Sequence, residues 1–338
     1  MCRATPRGRR AASSVTGRPW YRHLLRWLRT AYLALLVAAV PVLVLARRQK
    51  VADVLGDLAG AGHLLVAASF VTGFVLIVLS AYFWLVSLRV LDQRPRFTDL
   101  IVTAARSQPA KYVPLMVTFA ISRVALMRRR GVPGGALALT ATLEMAVSFA
   151  VSVAYGLVLL GWDGGLPGGL AIPFVAAVGV VVAASPSVAG RVVAAVARRR
   201  GLDSLTPVSG FTWRGYLHMI AASGCYWTCA AAVFCMYMRA FEAADSFGVA
   251  RLAGAFMLTW GGLRFLSVIA PQGIGVVEAT IPSLLGAPDP LALGILIFGF
   301  RLVLLLRDLL AAAVSELLAS RRTTVEAGPV QRSDGTEP

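Results

Sequence analysis

The sequence predicts an all-α integral membrane protein, a polytopic helical bundle of about 7–8 spans with two broken or re-entrant segments. Of 338 residues, 58% are apolar and only 14% charged, and the mean hydropathy of +0.74 is well above that of a water-soluble domain. Residues 64–88 form an uncharged run that alone exceeds the roughly 20 helical residues needed to cross a hydrocarbon layer about 30 Å thick. The apolar runs are continuous and rich in Leu, Ala and Val, whereas a membrane β-barrel would show short alternating strands.

Taken in order, the strong runs are 30–46, 64–88, 135–162, 169–185, 216–238, 252–270 and 290–318. Weaker ones lie at 113–127 and 273–286. The chain divides into a basic segment at 1–29, a transmembrane domain at 30–318 and a tail at 319–338 whose polar, unpatterned composition predicts disorder. Arginines crowd the first segment, and a retained first span with a cytoplasmic N-terminus is favoured over a cleaved signal peptide because Arg47 and Arg48 follow the run at once. Basic clusters at Arg128, Arg129 and Arg130, at Arg198, Arg199 and Arg200, and at Arg321 and Arg322 are expected on the cytoplasmic side of a cell membrane.

The net charge of +17 does not point to nucleic acid, since the basic residues edge the apolar runs instead of covering one face of a soluble module. Anionic lipid headgroups are the expected counterparts. Cys225, Cys229 and Cys235 share one apolar run without zinc or disulfide spacing. His218, Cys225 and Cys229 fall on one helical face, where packing is the better account. No phosphate-binding loop, nucleophile elbow, zincin or dinucleotide motif occurs. No enzymatic activity, catalytic residue, cofactor or metal is therefore expected.

Two segments interrupt the helical pattern. The first reads Gln108-Pro109-Ala110-Lys111-Tyr112-Val113-Pro114, and the second reads Pro271-Gln272-Gly273-Ile274-Gly275 and leads to Glu278. Proline removes an amide donor and glycine loosens a helix, so both leave backbone groups that hydrocarbon tolerates only beside protein or a water-filled cavity. Paired interruptions of this kind mark transporters built from inverted repeats around a central site. The plainer reading is that both are loops between helices.

Charges inside the runs are the second signal. Glu144, Arg264, Arg301, Arg307 and Asp308 each interrupt apolar sequence, at roughly 2.5–3.5 kcal/mol near a helix centre. Arg301 and Asp308 are seven residues apart, hence on one helix face. Glu144 is expected to pair with an arginine across helices, and Arg307 to snorkel to the interface. Lys111 and Arg123 flank the first interruption, an arrangement suited to phosphate near a freed helix N-terminus. Ion pairs that merely fix helix order are the plainer alternative.

Lys111-Tyr112-Val113-Pro114 with Ser122-Arg123 and Arg130-Gly131-Val132, then Leu143-Glu144, then Ala270-Pro271-Gln272-Gly273-Ile274-Gly275 with Glu278-Ala279, and finally Phe300-Arg301-Leu302 form a recognisable set. In these residues the chain resembles the flippase-like transmembrane domain of the lysylphosphatidylglycerol synthase family, across roughly residues 30–318. Members usually carry glycine after the first motif's proline and arginine two residues after the second motif's last glycine, where this chain has Leu115 and Val277. The resemblance implies movement of a charged or glycosylated lipid between leaflets. It does not imply synthesis, since the cytosolic aminoacyl-transfer domain of the synthases has no counterpart in these residues.

The expected site joins both interruptions: Lys111, Arg123 and Arg301 on phosphate, Glu144 and Glu278 balancing them, and Gly273 and Gly275 supplying open backbone. The expected partners are membrane lipids, either an anionic phospholipid or a polyprenyl-phosphate-linked glycan, with a lipid-modifying enzyme or glycosyltransferase as a further protein partner. Two competing readings are a non-transporting membrane partner of such an enzyme and a secondary permease for a small anion.

Overall fold

The computed structural model describes residues 62–112, 117–162, 212–241, 244–262 and 273–326, together with Gly56 and Gly60. Among these residues all regular structure is helical. The segment 1–29, the runs 30–46 and 169–185, and Arg264 lie outside them.

Helices α1 (His63–Gly73) and α2 (Val75–Val90) follow each other with a single break at Phe74. Both are apolar around most of their circumference, as a helix surrounded by lipid and protein requires. After α2, Asp92 takes a left-handed φ of 56° and Gln93 N–H donates to the Leu88 carbonyl at 2.8 Å, closing the helix end. Helix α3 (Phe97–Ser107) tightens into a 3-10 turn over Gln108–Tyr112, where Pro109 stands, and α4 (Val117–Arg128) follows. The long helices α5 (Gly134–Trp162) and α6 (Trp213–Met238) come next. Thr212 opens α6 by accepting from Gly215 N–H at 3.2 Å.

Helix α7 (Val249–Phe256) widens into a π-helical turn over Met257–Gly261. Helix α8 (Val276–Leu285) is short, and α9 (Pro290–Glu326) is the longest at 37 residues. Asp289 caps α9 by accepting from Ala292 N–H at 3.1 Å, and Pro290 sits at its first position, where no amide is needed.

Three of the described helical stretches, His63–Val90, Gly134–Trp162 and Trp213–Met238, are long and apolar enough to cross a membrane. The described part of the chain is thus all-helical, with the helices of a membrane protein. The two weak runs are indeed short: α4 has 12 residues and α8 has 10, about 18 and 15 Å at 1.5 Å per residue. The run 290–318 extends further than expected, because α9 continues to Glu326, eight residues beyond the boundary placed at 318. Ala319 to Glu326 contains no glycine or proline to stop a helix already nucleated by the apolar run.

Packing divides the interior into two apolar clusters. One gathers α2, α3 and α5 with the N-terminal half of α6, around Trp84, Leu88, Leu137 and Met219. The other joins the rest of α6 with α7, α8 and α9, and is dominated by aromatic rings. Phe234 stacks on Phe256 at 4.6 Å between centroids, and Phe300 meets Phe234 at 5.2 Å. Helices α5 and α7 are held together through small residues: a Cβ on Gly156 would lie 2.7 Å from the Leu258 amide nitrogen, and one on Gly254 would lie 2.8 Å from Leu160 Cγ. Close backbone approach of this kind is how helices associate where no hydrophobic drive separates protein from lipid.

Replacing Gly254 by Leu should therefore force these helices apart. We expect a loss of about 1–3 kcal/mol, read as a lowered thermal unfolding midpoint in detergent. Gly224→Ala, at a helical position where nothing lies within 4 Å, should leave the midpoint unchanged or raise it slightly.

Candidate functional site

The first interruption fastens to the last helix. Past Ser107 the chain turns more tightly, and this aims Lys111 and Tyr112 inward. Lys111 Nζ lies 2.5 Å from Asp308 Oδ2 and donates to Gln108 Oε1 at 2.8 Å. Tyr112 donates its hydroxyl proton to the same Asp308 oxygen at 2.7 Å. The other carboxylate oxygen accepts from Arg307 Nε at 2.9 Å and Nη2 at 2.5 Å. Asp308 is 0% exposed and Arg307 3%. Arg307 also donates from Nη1 to the Gly73 carbonyl at 3.0 Å, at the break between α1 and α2. The expectation that Arg307 snorkels to the interface is corrected here: Asp308 beside it and a freed helix carbonyl opposite satisfy it in place.

The second system links α2, α3, α4 and α5. Arg123, 1% exposed, places Nη1 at 3.2 and 3.4 Å from the two oxygens of Glu144. Its Nε donates to Ser107 Oγ at 3.1 Å and its Nη2 to Ser80 Oγ at 2.9 Å. Glu144 accepts the indole proton of Trp84 at 2.7 Å. The guanidinium carbon lies over the Phe119 ring, 4.4 Å from its centre, which lowers the cost of burying the charge. The interhelical pair expected for Glu144 is thus formed, and its partner is Arg123.

The third system builds the second interruption. Gly273 and Gly275 have φ of +67° and +84°, which residues with a Cβ rarely adopt, and they turn the chain into α8. Glu278, in the first turn of α8, accepts the Gly275 amide proton at 2.7 Å on one oxygen and Arg301 Nε on the other. The same carboxylate caps one helix and ties it to the next. Arg301 also lies 4.4 Å from the centre of the Trp260 ring.

These systems surround a cavity of about 150 Å³. Lys111, Arg301, Arg307 and Glu144 line it, with aromatic side chains that include Trp227 and Trp260. Asp308, Glu278 and Arg123 stand behind the residues they pair with. Of the expected site residues, Lys111, Glu144 and Arg301 therefore face one space, Arg123 and Glu278 hold them from behind, and Gly273 and Gly275 shape the turn that places Glu278. Asp308, Arg307, Tyr112 and Trp260 were not among the expected site residues. The adjacent Arg307 and Asp308 in an apolar run were the legible signal; nothing in the sequence marks Trp84 or Trp260. His218 bonds the Arg214 carbonyl of its own helix at 2.7 Å, and no metal-binding group of His, Cys, Asp or Glu occurs among the described residues.

Such a cavity presents cations on a partly apolar wall, with each carboxylate withdrawn or already engaged. Charge-assisted donors on such a wall are the groups that a small anion would engage. No family model and no curated protein matches the chain.

Removing one member of a buried pair strands the other. Glu144→Leu should cost about 3–5 kcal/mol in unfolding free energy, measured in detergent. Arg123→Met together with Glu144→Leu should regain most of that loss.

Proposed function

We propose that the protein is a flippase-like translocase that moves an anionic or glycosylated lipid between the leaflets of a cell membrane, without synthase activity. In this reading the chain forms about 7–8 spans in inverted repeats, with the N-terminus cytoplasmic and both interruptions re-entrant around a central site. The observation that carries the proposal is the cavity between the first interruption, the start of α8 and α9, lined by Lys111, Val277, Arg301 and Arg307. Broken backbone and desolvated cations at one place are the features expected of a headgroup path. The sequence resemblance to the flippase-like family supports the same reading.

A second reading has one observation in its favour: Lys111, Arg123, Arg301 and Arg307 each face a carboxylate. A scaffold that only fixes helix order for a partner glycosyltransferase or lipid-modifying enzyme would pair its charges in the same way.

The two are separated by reconstituting the full chain in vesicles that hold headgroup-labelled phosphatidylglycerol and adding an impermeant quencher. Transport predicts faster loss of inner-leaflet signal than in protein-free vesicles. Lys111→Ala and Arg301→Ala should slow it at least ~10-fold, as expected when a charge-assisted contact of about 1.5–3 kcal/mol is lost. Leu310→Ala, on an exposed face of α9, should leave the rate unchanged. A wild-type rate equal to that of empty vesicles sinks the transport reading.

A further inference from the structure

The π-helical turn over Met257–Gly261 is the described helical segment that departs furthest from α geometry without proline. Turns of this kind insert one extra residue into a helix and recur at functional sites. Here the extra residue has an identifiable effect. A regular α-helix continued from Phe256 would shift every later residue by one position, about 100° around the axis and 1.5 Å along it. Trp260 would leave the place it now holds.

That place is specific. Trp260 lines the cavity, its ring centre is 4.4 Å from the Arg301 guanidinium carbon, and Phe256 and Phe300 hold the ring at 5.2 and 5.9 Å. The turn is itself pinned from outside, since the Leu258 backbone packs onto Gly156. Arg301 is thereby held by two groups of different chemistry: Glu278 engages Nε, and the guanidinium carbon lies over the indole face. An arginine stacked on an aromatic face keeps its edge donors directed sideways, the geometry that a tetrahedral anion accepts.

We propose that Trp260 is the positioning residue of the anion site: the π turn holds its indole over Arg301 and so fixes the orientation in which the guanidinium meets a phosphate group in the cavity. The proposal rests on the reading of the cavity as an anion site, and it concerns orientation, not charge. It distinguishes Trp260 from Phe234, Phe256 and Phe300, which pack as a ring cluster.

The test uses the full chain in detergent, with inorganic phosphate as the probe and calorimetry as the readout. Wild type should bind phosphate, and Trp260→Leu should weaken binding by about five- to tenfold, as expected when a guanidinium loses the aromatic face that orients it. Trp260→Phe should restore most of the affinity by keeping an aromatic face. In an Arg301→Lys background, Trp260→Leu should have little additional effect, because an ammonium group has no plane to orient. Thermal midpoints measured alongside detect loss of fold. Wild-type affinity in Trp260→Leu, equal losses in both backgrounds, or no phosphate binding by the wild type would each overturn the proposal. Lipid movement in vesicles is scored separately: phosphate binding with the predicted coupling but without lipid movement supports Trp260's role and removes the transport reading.

Discussion

A guanidinium or carboxylate in the middle of an apolar helix is unfavourable by about 2.5–3.5 kcal/mol, and the structure meets that cost at Asp308 more completely than anywhere else described. Its two oxygens accept from Lys111, Tyr112 and Arg307, which come from the first interruption and from α9 itself. Arg307 in turn reaches the carbonyl exposed by the break at Phe74. One fully buried carboxylate thus fixes where the broken segment docks and how the first long helix is interrupted. The pairs Arg123–Glu144 and Arg301–Glu278 repeat the principle at other helix contacts. Removing any of these carboxylates would leave cations in a medium that cannot solvate them.

Cations at the cavity wall with carboxylates behind them have an electrostatic consequence. The carboxylates make burial of the cations tolerable, and Asp308 and Glu278 are not among the residues that line the cavity. Glu144 is the exception, since it lines the cavity, but Trp84, Ser80 and Arg123 all bond to it. The wall is therefore built of ion pairs, with Lys111, Arg301 and Arg307 each donating to a carboxylate that is not itself on the cavity surface.

Much of this was legible in the sequence, and the remainder was hidden for physical reasons. Residues 64–88, 135–162 and 216–238 announce their helices because every turn is apolar, and the helices found there begin and end within three residues of those limits. The interruptions were legible because proline and glycine act locally on the backbone. The charges in the apolar runs were equally visible, but their partners were not, since pairing depends on which helices are neighbours. Arg307 shows the difference: alone it reads as a residue near an interface, and only the position of Gly73 on another helix explains its burial. The π turn was invisible because Met257 to Gly261 carry no residue that demands it. It packs against Gly156 and the ring cluster, contacts that are tertiary information.

Glu278 serves two neighbours at once, the amide that begins α8 and the guanidinium of α9. The stability of the α8 start and the position of Arg301 are then thermodynamically linked. A group that draws Arg301 away from Glu278 changes the electrostatics at the turn through Gly273 and Gly275. By reciprocity, unwinding of that turn changes the free energy of withdrawing Arg301 by the same amount. Two features that lie 23 residues apart in sequence, a helix cap and an interhelical ion pair, act as one equilibrium because a single carboxylate belongs to both.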